Sequence, residues 1–260
     1  MIKHIILVSF CIISLEGLGN NRIKAPVDPA KRCVSSKINH EKCEDMRKKS
    51  IDIGCITYEE YYTLKKYGAF PSCNILKGEG LDMLDGWCPC GCFHPDTLIK
   101  VITSNNFFPL DIRAKKILEN HNKFSLAHLS KDSQIKNFFI DYSPIRLITY
   151  GEEKKKMISI RTEDGRTLEI TKEHPVFVAP GKMKFAHSLN TNDLLLDISS
   201  QEVAIERIEE KVYYGDVVNF STDKDSVTEH IIFANNLAVG DQYWQASLED
   251  HMNQVLVYMQ

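Results

Sequence analysis

Along this 260-residue chain the spacing of apolar positions changes character twice. From Thr97 onward, short β-branched runs alternate with turn residues. Thr97–Thr103, Met157–Thr162, Thr167–Thr171, Pro175–Ala179, Leu194–Ile198, Val203–Ile208, Val212–Phe220, His230–Ala234 and Leu237–Val239 each have the length and composition of a strand. Glu163-Asp164-Gly165-Arg166 joins two of these runs, and Asp-Gly between alternating segments predicts a hairpin. Asn235-Asn236 joins the last two with residues that tolerate the positive φ of a tight turn. Many short strands at this spacing predict an all-β domain. Leu110–Lys136 reads as a partly helical insertion or connection.

The pattern differs on either side of this block. Ile5–Leu15 is an apolar run behind the weakly basic Met1-Ile2-Lys3-His4. It is too short for a membrane-spanning helix and suits the middle of a secretory signal peptide, with cleavage near Gly19. A buried N-terminal strand is the competing reading. No later run reaches the ~20 apolar residues of a membrane span. At the other end, Trp244, Leu248, Met252, Val255 and Met259 recur at three- and four-residue steps, which predicts an amphipathic helix over residues 242–260. We expect it to pack on the β domain rather than on a partner.

Composition changes this picture in one respect. With 43% hydrophobic and 26% charged residues the chain reads as globular, and a net charge of -3 gives no electrostatic case for nucleic acid. The cysteines are more informative. Of eight, Cys11 falls in the signal peptide, and the other seven (Cys33, Cys43, Cys55, Cys73, Cys88, Cys90 and Cys92) all precede residue 93. An exported chain with an odd count keeps one thiol for chemistry or for an intermolecular bond. Residues 20–91 therefore read as a small segment stabilised by disulfides, with a helix opened by the capping box Thr57-Tyr58-Glu59-Glu60. A zinc cluster is the competing reading, but the spacings lack a repeated C-x-x-C pair. No metal or other cofactor is expected.

Three motifs carry candidate chemistry. In Gly91-Cys92-Phe93 a thiol follows a glycine, so it can attack the preceding carbonyl without steric hindrance and turn an amide into a thioester. In Thr171-Lys172-Glu173-His174, at a strand end, an imidazole that titrates near neutrality could protonate the departing amine, with Thr171 holding the ring or the peptide. The third motif is Val217-Val218-Asn219-Phe220 followed by His230-Ile231-Ile232-Phe233-Ala234-Asn235-Asn236-Leu237-Ala238-Val239-Gly240-Asp241.

Taken in order, these motifs resemble Hint domains, the self-processing modules of hedgehog proteins, inteins and bacterial intein-like proteins. The link Gly181–Ala186 and Leu189-x-x-x-Asp193-Leu194 fits the same pattern. The resemblance covers about residues 92–241. It implies a horseshoe-like, pseudo-symmetric all-β fold with its first and last strands adjacent. It also implies that Cys92 is the nucleophile, Thr171 and His174 the activating pair, and His230 a helper. Asn219 stands where several family members have Asp, which weakens an acid or base role there. Splicing in this family needs a terminal His-Asn pair and then Cys, Ser or Thr, whereas this chain has Gly240-Asp241 and then Gln242.

The expected organisation is thus a signal peptide (1–19), a cysteine-rich segment (20–91), a Hint domain (92–241) and a C-terminal helix (242–260). The expected activity is cleavage at Gly91-Cys92 without splicing. The protein is its own partner in this chemistry, and water or an external nucleophile takes the acyl group. A secreted binding or structural protein on an inactive Hint scaffold is the alternative. A redox module built on Cys88, Cys90 and Cys92 ranks below both, because C-x-C rings are strained.

Overall fold

A computed structural model describes residues 22–24, 73–74, 83–84, 92–153 and 156–244 of the chain. The predicted signal peptide, Gly91, the helix expected after Thr57 and all but the first residues of the C-terminal helix lie outside these.

Among the described residues three short strands precede residue 92: β1 (Arg22–Lys24), β2 (Cys73–Asn74) and β3 (Met83–Leu84). The continuous part then runs β4 (Leu98–Thr103), β5 (Asn106–Arg113), one short helix α1 (Ala114–Glu119), β6 (Phe124–Leu129) and β7 (Ile140–Glu153). It continues through β8 (Lys156–Thr162), β9 (Thr167–Thr171), β10 (Pro175–Val178), β11 (Lys182–Phe185) and β12 (Leu194–Leu196). The last elements are β13 (Glu202–Val212), β14 (Gly215–Thr222), β15 (Ile231–Ala234) and β16 (Leu237–Gly240). The described chain is therefore all-β with little helix, as its alternating pattern predicts.

The main sheet holds 14 strands, in the order β1-β7-β6-β4-β15-β16-β10-β12-β13-β8-β9, with β5, β11 and β14 attached to β4, β10 and β7. The first strand of the continuous part lies beside the last hairpin, next to β15 rather than to the final strand β16. Ala234 of β15 pairs with Ile99 of β4, and the Asn235 side chain accepts from the Leu98 N–H at 2.9 Å. Asn235 and Asn236 take φ of 49° and 62°, the left-handed turn that their side chains tolerate. Gly165 (φ 87°) makes the predicted hairpin between β8 and β9.

One further pairing closes the circuit. Phe93 bridges Ile170 of β9 on one side and Val218 of β14 on the other. Because β14 pairs with β7, the two ends of the strand order meet across this single residue. The Phe93 ring is wholly buried in the main core with Ile99, Val101, Ile148, Ile170 and Phe220. Burying a side chain of that size stabilises by about 1.5–3 kcal/mol, so closure is coupled to core formation.

Leu110–Lys136, expected as a partly helical connection, holds the helix α1 and a 3-10 turn over His121–Lys123, and also the end of β5 and all of β6, which the sequence pattern does not mark as strands. Leu126, Ala127 and Leu129 of β6 are fully buried, so both faces of that strand are covered. The 14-residue β7 was not among the expected strands, and Pro144 interrupts its apolar run. The strand tolerates this proline because it changes partners there, pairing with β6 up to Pro144 and with β14 from Ile145. No helix among the described residues is long and apolar enough to cross a membrane.

At the C-terminal end of β16, a Cβ on Gly240 would lie 2.6 Å from Cβ of Trp244 and 2.8 Å from Cβ of Pro175. The strand end thus approaches both the start of β10 and the chain beyond it more closely than a side chain permits. Gly240→Ala is expected to destabilise the protein by about 1–3 kcal/mol through overpacking, read as a lower urea midpoint at unchanged slope.

Candidate functional site

The Cys92-Phe93 segment lies as an interior strand between β9 and β14. Phe93 N–H donates to the Val218 carbonyl at 2.8 Å, Val218 N–H returns a bond at 3.1 Å, and His94 N–H donates to the Glu169 carbonyl at 3.1 Å. Thr171 N–H donates to the Cys92 carbonyl at 2.9 Å. The reverse bond is made by a side chain: Cys92 N–H donates to the Thr171 hydroxyl at 2.8 Å. The amide nitrogen joining Cys92 to Gly91 is thereby held on both sides of its residue by the end of β9.

Strand alternation then sorts the side chains. Phe93 points into the core, where its ring lies 4.2 Å from that of His174, centroid to centroid. His174 is buried, and its backbone is pinned twice: its N–H donates to the Thr171 carbonyl at 3.1 Å, and its carbonyl accepts from Ala186 at 2.9 Å. Thr171 and His174 are thus the two ends of one turn at the close of β9. Cys92 points the other way, into a small apolar cluster with Met157 and Val217, covered by Tyr213. Among the described residues it forms no disulfide.

The C-terminal motif forms a second cluster. Buried Asp241 accepts from His230 Nδ1 at 2.8 Å, the Ser221 hydroxyl at 3.0 Å, the Thr222 N–H at 3.0 Å and the Tyr243 N–H at 2.8 Å. The bond from Tyr243 is an N-cap on the helical turn that begins at residue 242. His230 Nε2 lies 3.0 Å from the Lys224 carbonyl, so both of its ring nitrogens face acceptors. The ring also stacks on Tyr243 at 4.2 Å. Asn219 joins this cluster, donating to Gln242 at 3.2 Å while its oxygen accepts from Phe220 N–H.

Strand β14 connects the two clusters. Val217 touches Cys92, Asn219 touches Gln242, and Ser221 touches Asp241, which places alternate residues in one row. Four residues of extended chain set the ends of that row about 13 Å apart. The structure therefore brings Cys92, Thr171 and His174 together, and gathers Asn219, His230, Gly240 and Asp241 around the other end of the row. Gly240 links the two, because it abuts Pro175, the neighbour of His174. Among the described residues no group of three His, Cys, Asp or Glu is arranged to hold a metal ion.

Sequence reasoning did not find Tyr213, Met157 and Val217 around the thiol, nor the Ser221 and Thr222 ligands of Asp241. The N-cap role of Asp241 was legible, since an Asp directly precedes the predicted amphipathic helix. The walls of the thiol site carried no such signal, because β8, β14 and the β13–β14 turn come together only in the folded sheet.

No protein-family model matches the chain, and no curated protein sequence does. Solved structures do match. An intein from a hyperthermophile aligns with a TM-score of 0.50 and 18% identity, over 58% of this chain and 100% of that one. A DnaB intein from Synechocystis aligns with a TM-score of 0.47 at 18% identity, over 58% of this chain and 99% of that one. A bacterial intein-like domain from Clostridium thermocellum aligns with a TM-score of 0.42 at 15% identity, over 56% of this chain and 99% of that one. The first of these likenesses establishes the fold: the chain contains a Hint-type all-β domain.

Thr171→Val keeps the shape of the side chain and leaves the buried Cys92 N–H without its acceptor. It is expected to cost about 1–3 kcal/mol in urea unfolding, most of it recovered by Thr171→Ser. Asp241→Ala strips four donors of their shared buried acceptor and removes a cap. It is expected to cost more, about 3–5 kcal/mol, by the same measurement.

Proposed function

We propose that the chain is a self-processing protein in which the Cys92 thiol attacks the Gly91 carbonyl. The observation that carries this reading is the Thr171 hydroxyl 2.8 Å from the nitrogen that must leave, with His174 in the same turn. As Sγ adds to the carbonyl carbon, the C–N bond weakens and the nitrogen becomes pyramidal. The Thr171 hydroxyl fixes the direction of its N–H, which fixes where the new lone pair points. A proton delivered there by the His174 imidazole completes the departure. The thiol has lost one proton and the amine has gained one, so amide and thiol become thioester and amine.

Water at the thioester then releases residues 20–91 with a carboxylate at Gly91, and an amine or hydroxyl nucleophile caps that segment instead. Cleavage stops at the N-terminal junction. Asp241 has no side-chain amide with which to cyclise, its carboxylate is committed to four donors, and Gln242 offers neither hydroxyl nor thiol. Export through a signal peptide ending near Gly19 and disulfides within residues 20–91 belong to the same reading. So do the domain limits 92–241 and a packed tail helix. His230 acts in it through Asp241, as an anchor of the C-terminal end.

The burial of Cys92 favours a second reading, a secreted binding or structural protein on an inactive scaffold, because only 8% of that residue is exposed. Intact mass of the purified protein before and after incubation with DTT separates the two. Two fragments meeting at Gly91-Cys92 are expected from the wild type and none from Cys92→Ala, while His174→Ala is expected to slow cleavage by about 10²–10⁴-fold. A single uncut mass for the wild type with added thiol would leave the scaffold reading in its place.

A further inference from the structure

We infer that Tyr213 shields Cys92 and decides, by size, which nucleophiles reach the acyl group carried there; the second half of this rests on the thioester chemistry proposed above. Tyr213 lies in the turn between β13 and β14 and covers the cluster of Cys92, Met157 and Val217. Its ring is fixed from two directions. The phenol donates to the Asp216 carbonyl at 2.8 Å, across the turn, and the ring lies edge-on to His94 with centroids 5.0 Å apart. His94 is two residues from Cys92 on the same face of the interior strand, so the thiol and the ring that props Tyr213 share one side.

The turn is built to admit this ring. A Cβ on Gly215 would lie 2.7 Å from the Tyr213 phenol oxygen and 3.0 Å from the carbon that bears it. Only a residue without a side chain lets the phenol lie back over the site. Burial pushes the phenol's pKa up, and the carboxylates of Asp216, Asp96 and Glu169 push it the same way. The group therefore stays a neutral donor to Asp216 across the working pH range. Meanwhile Val212 and Tyr214, on either side, are 65% and 75% exposed. Of these three consecutive residues, the middle one is turned inward against the thiol.

Release of the acyl segment requires an outside atom at the Gly91 carbonyl carbon. The nucleophile's bond to that carbon forms, the carbon–Sγ bond breaks, and the nucleophile's proton ends on the Cys92 sulfur. In this inference the ring slows bulky acceptors more than it slows water or small amines.

Thiol alkylation tests the shield without requiring turnover. The whole chain carrying His174→Ala, which keeps the junction intact, is treated in its native state with iodoacetamide or with a bulky polyethylene glycol maleimide. Modification of Cys92 is followed by peptide mass mapping. Adding Tyr213→Ala is expected to speed the bulky reagent by about tenfold and iodoacetamide much less. Gly215→Ala, which leaves the tyrosine present but displaced, is expected to act in the same direction, whereas Tyr213→Phe keeps the ring and stays near the parent rate. In the chain with His174 intact, Tyr213→Ala is expected to raise cleavage by glutathione relative to hydroxylamine. Equal acceleration of both alkylating reagents, or none, overturns the inference. Failure of the wild type to cleave at all sinks the processing reading instead, and the two alkylation rates still decide the shield.

Discussion

The fold turns on the seating of two residues. Phe93 pairs with β9 and β14 together, and without it the run of strands from β7, which carries β14, round to β9 has no closure. That one strand position performs three tasks. It completes the backbone ladder, it places a phenyl ring in the core beside His174, and it turns the Cys92 side chain to the opposite face. The alternation of a strand forces the last two to occur together. A one-residue slip would turn the thiol into the main core and the ring out of it, so the register of the closing strand and the position of the thiol are a single constraint.

The same constraint explains how distant motifs come to one place. Cys92 and Thr171 are 79 positions apart, yet they exchange two hydrogen bonds because Thr171 is the last residue of the strand that the closing segment pairs with. His174 follows through a turn held by its own backbone and by Ala186. In the proposed cleavage, stability and chemistry use the same atoms, since the hydroxyl that satisfies the buried Cys92 N–H is the one that would face the departing nitrogen. Substitutions here have to be read in both stability and cleavage before a role is assigned.

At the other end of the β14 row the balance differs. Asp241 has its oxygens filled by a ring nitrogen, a hydroxyl and two backbone amides, and it caps the turn that leads into the tail. A carboxylate so fully bonded anchors structure. The Hint-type fold is thus present with its C-terminal end held by a fully bonded carboxylate, in keeping with the rule that a fold carries a site without dictating its activity.

The sequence by itself determined the fold class and the order of the motifs. Strand alternation, Asp164-Gly165 and Asn235-Asn236 are local signals, and local sterics suffice to read them. It also marked Cys92, Thr171 and His174, through residue chemistry and a resemblance in motif order. It marked the helical part of Leu110–Lys136 but passed over β6 and β7, because a strand buried on both faces loses its alternation and Pro144 masks a change of partner that only the sheet reveals. The tertiary structure alone decided what surrounds the thiol and what holds Asp241. Tyr213 comes from the β13–β14 turn, Met157 from β8 and Val217 from β14, and Ser221 and Thr222 meet Asp241 only after β14 and β16 are in register. Such neighbours follow from long-range pairing, which leaves no periodicity in any one segment of the chain.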